Sequence, residues 1–222
     1  ITVANEANFV IAGGITDGSG QTATITGPGY INTNNFYSGS FNQRGAFQSH
    51  AGDNTWAGNI VLSGTAGVFG NTRIGVQNSA SLTLTGTISE AVPGMSPYFR
   101  AGDSSTDFIS IGGTCTWTGP TRIFSNGGAV TITGNDKLPT TADLIVGASA
   151  GSSGPPTFDL AGFNQTVATL SGSGGTYPAV IRNSGGTQST LTLNPSAAGN
   201  FPGTIQGDVK LVVGGTSPQT LS

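Results

Sequence analysis

Charge is what this sequence has least of. Only 8% of its 222 residues are charged, Lys and Glu occur twice each, and the net charge is −3. Its seven basic residues are scattered, which leaves no footprint for nucleic acid or for an anionic membrane. Strong helix formers are almost missing: Met occurs once, and no window carries an apolar stripe at helical spacing. No apolar run approaches the roughly 20 residues that span a bilayer, so no membrane insertion is expected. Cys115 is the only cysteine, which excludes an intrachain disulfide, and His50 is the only histidine. The chain has no initiator Met and no signal-peptide pattern, so it is expected to be processed or cut from something longer.

What the chain has instead is Gly, at 37 positions, and Thr, at 31. Gly destabilises helix interiors and Thr is stiff at χ1, so together they favour strands and turns. Hydrophobic residues make up 35% of the chain, enough for a continuous core and too many for a chain kept disordered by its charge. The composition predicts an all-β protein whose solubility comes from Ser, Thr, Asn and Gly. Such a surface suits an extracellular setting of variable salt, because little stability rests on screened ion pairs.

Short strands recur along the whole sequence. Thr22–Thr26, Ser81–Thr85, Ala129–Thr133 and Ser189–Leu193 alternate aliphatic residues with Thr, as a strand with one dry and one wet face does. Asn59–Leu62, Asp143–Val146, Thr157–Leu160 and Asp208–Val213 read as further strands. Many short strands suit a sandwich or barrel as well as a solenoid, and repetition separates the two. Leu82-Thr83-Leu84-Thr85-Gly86-Thr87-Ile88 is echoed by Leu191-Thr192-Leu193 with Gly203-Thr204-Ile205 a few residues on. Likewise Asn54-Thr55-Trp56-Ala57-Gly58 is echoed by Cys115-Thr116-Trp117-Thr118-Gly119. Such self-similarity marks stacked units that cannot bury their faces alone. The prediction is one continuous right-handed parallel β-solenoid (β-helix) over residues 1–222. Its coils, of about 20–30 residues, stack at about 4.8 Å and carry irregular loop insertions. Ser89–Asp107, with Pro93 and Pro97, is the expected loop excursion, and Ala150–Pro156 a second.

The run Thr157-Phe158-Asp159-Leu160-Ala161-Gly162-Phe163-Asn164-Gln165-Thr166, continuing through Val167 and Leu170 to Gly174, resembles the most characteristic phrase of autotransporter-associated β-strand repeat proteins. Asn183–Thr187, Leu193, Phe201, Gly203-Thr204-Ile205 and Leu211-Val212-Val213 are similar to its continuation, and Trp117–Thr121 with Leu138-Pro139 to its start. Gln43–Gln48 followed by Asn54–Ile60 is similar to a second phrase of the family's large members. The likeness covers residues 40–88 and 114–222. It implies a β-helical passenger, exported across the cell envelope in a very large parent. The family's translocator barrel is missing from the chain, and an autotransporter route of secretion does not follow. On physical grounds Phe158, Leu160, Phe163, Val167 and Leu170 are expected on successive walls of one coil, with Gly162 and Gly172 at its corners. Asn164 is expected either in a stacked Asn ladder, the family-like role, or as a plain turn residue. Asn164-Gln165-Thr166 is also a glycosylation sequon, but one that falls within the repeat phrase.

The chemistry-bearing residues are sparse. Gly147-Ala148-Ser149-Ala150-Gly151 matches the G-x-S-x-G nucleophile elbow, yet Ser152-Ser153-Gly154-Pro155-Pro156 cannot form the helix that must follow, and His50 lies upstream of Ser149 rather than downstream. His50 has Asp53 as its nearest acid in sequence and no second imidazole for a metal. Asp103 and Asp107, beside Arg100, are the best carboxylate pair for Ca²⁺ or for glycoside chemistry, but a solvated loop with a local Arg–Asp pair is the expectation. Cys115 reads as a small buried hydrophobe, and Trp56 and Trp117 as core or corner residues at equivalent repeat positions. No catalytic, cofactor-binding or metal-binding residue is assigned, and no enzyme is expected.

The expected role is a structural extracellular solenoid of a secreted bacterial protein, a stalk, adhesin shaft or fibre segment at the cell surface. Its first partner is itself, end to end or within a longer solenoid, because neither end of the sequence carries a polar cap. Surface glycans are the second partner class, and a polysaccharide-binding or polysaccharide-degrading β-helix is the alternative.

Overall fold

The computed structural model of the chain describes residues 1–30, 45–67, 72–102, 104–148 and 153–222. Among these residues every regular element is a β-strand, and neighbouring strands pair in parallel. Parallel pairing needs a long return path between partners, which is what a coil supplies. The result is a parallel β-solenoid.

The chain winds round three walls. Thr2–Val3, Thr22–Thr26, Asn59–Ser63 and Ile88–Glu90 lie side by side in the first. Phe9–Ile11, Phe47–His50, Thr72–Gln77, Pro97–Ala101, Thr121–Ser125, Leu144–Ala148 and Leu170–Gly172 form the second. The third is the longest, with Thr16–Asp17, Asp53–Trp56, Ser81–Leu84, Phe108–Ile111, Ala129–Ile132, Thr157–Asp159, Val180–Arg182 and Thr204–Gln206, one strand from each coil. Farther along the stack, Gln165–Val167, Ser189–Leu193 and Val209–Val213 resume the first wall. By their place in the coil, Gly199–Phe201 and Gln219–Leu221 resume the second.

Register carries the sequence alternation through the stack. On the third wall Leu82, Ile109, Val130, Phe158 and Ile181 sit on one another, all fully buried, while Thr55, Thr83, Ser110 and Thr131 share the next outward column. On the second wall Phe47, Ile74, Phe99, Ile123 and Val146 form the matching inner column. Each such side chain contributes about 1.5–3 kcal/mol by leaving water. One core cluster joins them from Val3 to Phe201.

Close approach explains the glycines that follow these strands. At the turn from third to first wall, Gly58, Gly86 and Gly113 lie one above another. A Cβ on Gly86 would strike the Gly58 carbonyl, and one on Gly113 the Gly86 carbonyl. Gly162 turns its corner at φ 90°, as expected. Gly172 does not sit at a corner: it ends the strand Leu170–Gly172, where the Phe201 ring occupies the space a side chain would need.

The segment Ser89–Asp107 also departs from expectation. It is no loop excursion, because it supplies Glu90 to the first wall and Pro97–Ala101 to the second, with Phe99 fully buried. Pro97 is the first residue of its strand, a position that tolerates the missing N–H. Between the strands Thr22–Thr26 and Phe47–His50, residues 31–44 fall outside the described residues. Of the second expected excursion, 150–152 fall outside them too, while Gly154 and Pro156 are buried.

Where a wall breaks, a side-chain amide takes over the pairing. Cys115 continues the first wall only as an isolated bridge to Ile88. Beyond it, Gln165 Oε1 accepts the Leu138 N–H at 3.0 Å and its Nε2 donates to the Leu138 carbonyl at 3.0 Å. Gln219 treats Leu170 the same way, at 3.1 and 2.7 Å, its carboxamide passing over Gly199, where a Cβ would collide with it. Each glutamine thus imitates a neighbouring strand and satisfies two buried backbone groups.

Candidate functional site

Chemistry-bearing side chains gather on the outer second wall, on the outer third wall, and in a cleft at the break in the first. On the second wall Arg73, Tyr98 and Arg122 are in register on consecutive coils. The Arg73 guanidinium carbon lies 4.3 Å from the Tyr98 ring centroid, and Tyr98 stacks on Phe124 at 5.2 Å. Arg122 Nε donates to Ser96 Oγ at 2.9 Å. Burial works against the charge of Arg122, and nearby Asp143 works for it. Tyr98 is only 5% exposed, so this cluster spends its cation–π and stacking contacts within the protein.

The third wall is different. Three successive strands present Ser81, Thr83; Phe108, Ser110; and Ala129, Thr131 in register on the outward side, over the buried Leu82, Leu84, Ile109, Ile111, Val130 and Ile132. Thr85, Gly112 and Thr133 extend the same rows, with Gly112 lying between the two threonines. None of these outward residues is charged. Phe108 is 39% exposed, standing between the small Ser81 and Ala129.

The cleft, of about 340 Å³, opens between Cys115–Thr118 and Asp136–Thr141. Its thiol stays protonated at neutral pH: burial pushes Cys115 up to about 12, against an opposing pull from Lys137. Its carboxylate is occupied, since Asp136 Oδ1 accepts the Thr166 N–H at 2.7 Å.

Among the described residues, those singled out by sequence do not assemble into a reactive centre. Ser149 and Asp103 lie outside the described residues. Asp107 is no solvated loop acid: it is 1% exposed, and its carboxylate accepts the N–H groups of Ala80 at 3.0 Å and Ser104 at 3.2 Å. It therefore ties one coil to the next across a corner. His50 is half-buried, its ring nitrogens 2.7 Å from Gln77 Nε2 and 2.9 Å from Asn78 Nδ2, while Asp53 instead accepts from Ser81 Oγ at 2.8 Å. Among the described residues no three His, Cys, Asp or Glu side chains come together as a metal site requires.

Trp56 and Trp117 are both buried but not equivalent. Trp56 ends a third-wall strand and packs edge-on to Phe9 and Phe47, whereas Trp117 sits between the first and second walls, its indole N–H donating to Thr121 Oγ1 at 3.0 Å. Asn164 is exposed and links its coil to the two beside it through backbone groups, without a row of stacked asparagines. Its backbone N–H donates to Asn135 Oδ1 at 2.9 Å, and its own Oδ1 accepts the Thr190 N–H at 2.7 Å.

Sequence reasoning missed the buried polar groups that hold the corners. Asn183 Oδ1 accepts the N–H groups of Gly162 and Gly185 at 2.8 and 2.9 Å, and its Nδ2 donates to the Thr187 and Asp208 carbonyls. Asn54 does the equivalent for Gly14 and Ile15. Asp159 accepts from Ala161, Ser184 and, at 2.7 Å, the Arg182 guanidinium. Burial pushes its carboxyl up, but these donors outweigh it and hold the group below its ordinary value. Only Asn183, just after a strand and followed by Ser184-Gly185, carried a local signal; Asn54 and Asp159 lie within the strands Asp53–Trp56 and Thr157–Asp159. Compared with known families, curated proteins and solved structures, the chain matches none.

Proposed function

We propose that this chain is a structural solenoid segment of an extracellular bacterial protein, a stalk, shaft or fibre element of the autotransporter-associated repeat kind. The observation that carries the reading is the outermost coil. There Val212, Val213 and Leu221 are 37, 51 and 46% exposed, on strands paired along one edge only. A parallel strand with a free edge and exposed apolar residues is a template for another strand. In the self-stacking form of this reading, a second copy packs a strand against that edge. At the opposite end Ile1, Val10 and Ile15 are exposed in the same way. The likeness of residues 157–174 to the repeat phrase supports a passenger-type β-helix. The polar interactions described above also favour a structural role, since the carboxylates of Asp107, Asp136 and Asp159 all accept backbone N–H groups.

Sedimentation velocity and electron microscopy over a range of concentrations test the self-stacking form. Rods that lengthen with concentration, and that Val213→Lys abolishes, are the expected result. A strictly monomeric chain, joined to turnover of a polysaccharide, would overturn the structural reading.

A further inference from the structure

We infer that the outer third wall, centred on Phe108, binds a neutral, extended polysaccharide chain. Phe108 is a large apolar side chain, 39% exposed, and the outward residues of the two strands beside it are small or hydroxylic. Nothing in the packing of the core requires a ring there. The register partners Ser81 and Ala129 are too short to cover it, so its flank is open along the stack. The contrast with Tyr98 is informative: that ring is 5% exposed and covered by the Arg73 guanidinium, and so is already committed within the protein.

The surroundings select the ligand. Thr83, Ser110 and Thr131 are in register beside Phe108, repeating at about 4.8 Å from coil to coil, and Thr85 and Thr133 stand about 7 Å farther along the strands. Ser110 is buried, so the hydroxyl groups open to a ligand beside the aromatic face are those of Thr83, Thr131, Thr85 and Thr133, which both donate and accept. A pyranose ring offers the complement: a face of C–H bonds for the electron-rich ring and hydroxyls around its rim. Charge argues for neutrality. The patch itself has no ionisable group, Asp53 lies one coil away on one side, and the Asp159–Arg182 pair, at 2.7 Å, is neutralised on the other. The nearby cations, Lys137 beside Gly134 and Arg182 in its pair with Asp159, stand at the edge of the patch, so an acidic polysaccharide would find none beside Phe108 to repay its desolvation. Strands of one flat sheet suit a chain that lies extended across several coils.

The site is on the side of the solenoid and not on its end, so it stands or falls separately from coil stacking. The test is binding of the chain to microcrystalline cellulose and to a soluble neutral glucan, with polygalacturonate as the acidic control. Saturable binding to the neutral glucans is expected, weakened at least about tenfold by Phe108→Ala and retained by Phe108→Trp. Thr83→Val and Thr131→Val are expected to weaken it by a smaller factor, without changing the circular dichroism spectrum. No binding to the neutral glucans, preference for polygalacturonate, or unchanged affinity in Phe108→Ala would each overturn the inference. Loss of self-association in Phe108→Ala without loss of glucan binding would do so as well, by making the face an interface between copies.

Discussion

Leu193 and Val213 occupy the same column of the first wall on adjacent coils, yet Leu193 is fully buried and Val213 is 51% exposed. Their chemistry is nearly the same; only Leu193 has a coil on both sides. In this architecture a strand's apolar residues are sheltered by their neighbours along the axis as well as by the opposite walls. Burial is therefore a property of position in the stack, which is why such proteins behave as chains of nearest-neighbour interfaces. The middle of the stack is a closed core, while the strand Val209–Val213 pairs along one edge only and leaves Val212 and Val213 exposed.

Phe158→Ala should break this contrast from the buried side. Phe158 packs between Val130 and Ile181, and its truncation should cost about 3–5 kcal/mol, read from chemical denaturation. Gln165→Ala comes next. It leaves the Leu138 N–H and carbonyl buried without their partner, at about 1–3 kcal/mol for each group, and hydrogen exchange at Leu138 should accelerate. A variant at Gln165 that proved neutral would mean that the amide does not stitch the wall.

Asp159→Asn should act more weakly and with a pH signature. The folded carboxyl titrates below its ordinary value of 3.8, so its stabilisation is complete above that value and is lost as pH falls through the folded pKa. Denaturation midpoints should show a gap of about 1–3 kcal/mol between wild type and variant at neutral pH, narrowing in acid. A constant gap would remove the ionised carboxylate from the explanation. The smallest effect belongs to Val213→Ala, within about 0.5 kcal/mol in the dilute monomer, or roughly 1–2 °C in the thermal midpoint.

The sequence and the fold agree best where the physics is local. Alternation of aliphatic residues with Thr located Thr22–Thr26, Ser81–Leu84, Ala129–Ile132 and Ser189–Leu193, because one wet and one dry face is a property of each strand alone. Repetition pointed to stacking but not to the arrangement within a coil. Leu82–Thr85 belongs to the third wall and Leu191–Leu193 to the first, so matching phrases mark strand-and-corner units rather than equivalent places. Trp56 and Trp117 diverge for the same reason. Prolines misled at 89–107, where Pro97 opens a strand instead of interrupting one. The Phe108 face was hidden too, since an outward Phe is visible only once its register partners, Ser81 and Ala129, are known to be small.

Hydrogen exchange of the Val209–Val213 amides, followed as protein concentration rises, tests the proposed stacking of coils most directly. At high dilution these amides should exchange faster than those of Ser189–Leu193, their register partners one coil inward, and they should become protected as the chains associate. Protection equal to that of Ser189–Leu193 in the dilute monomer, or no gain of protection at any concentration, would contradict an open edge that takes up another coil.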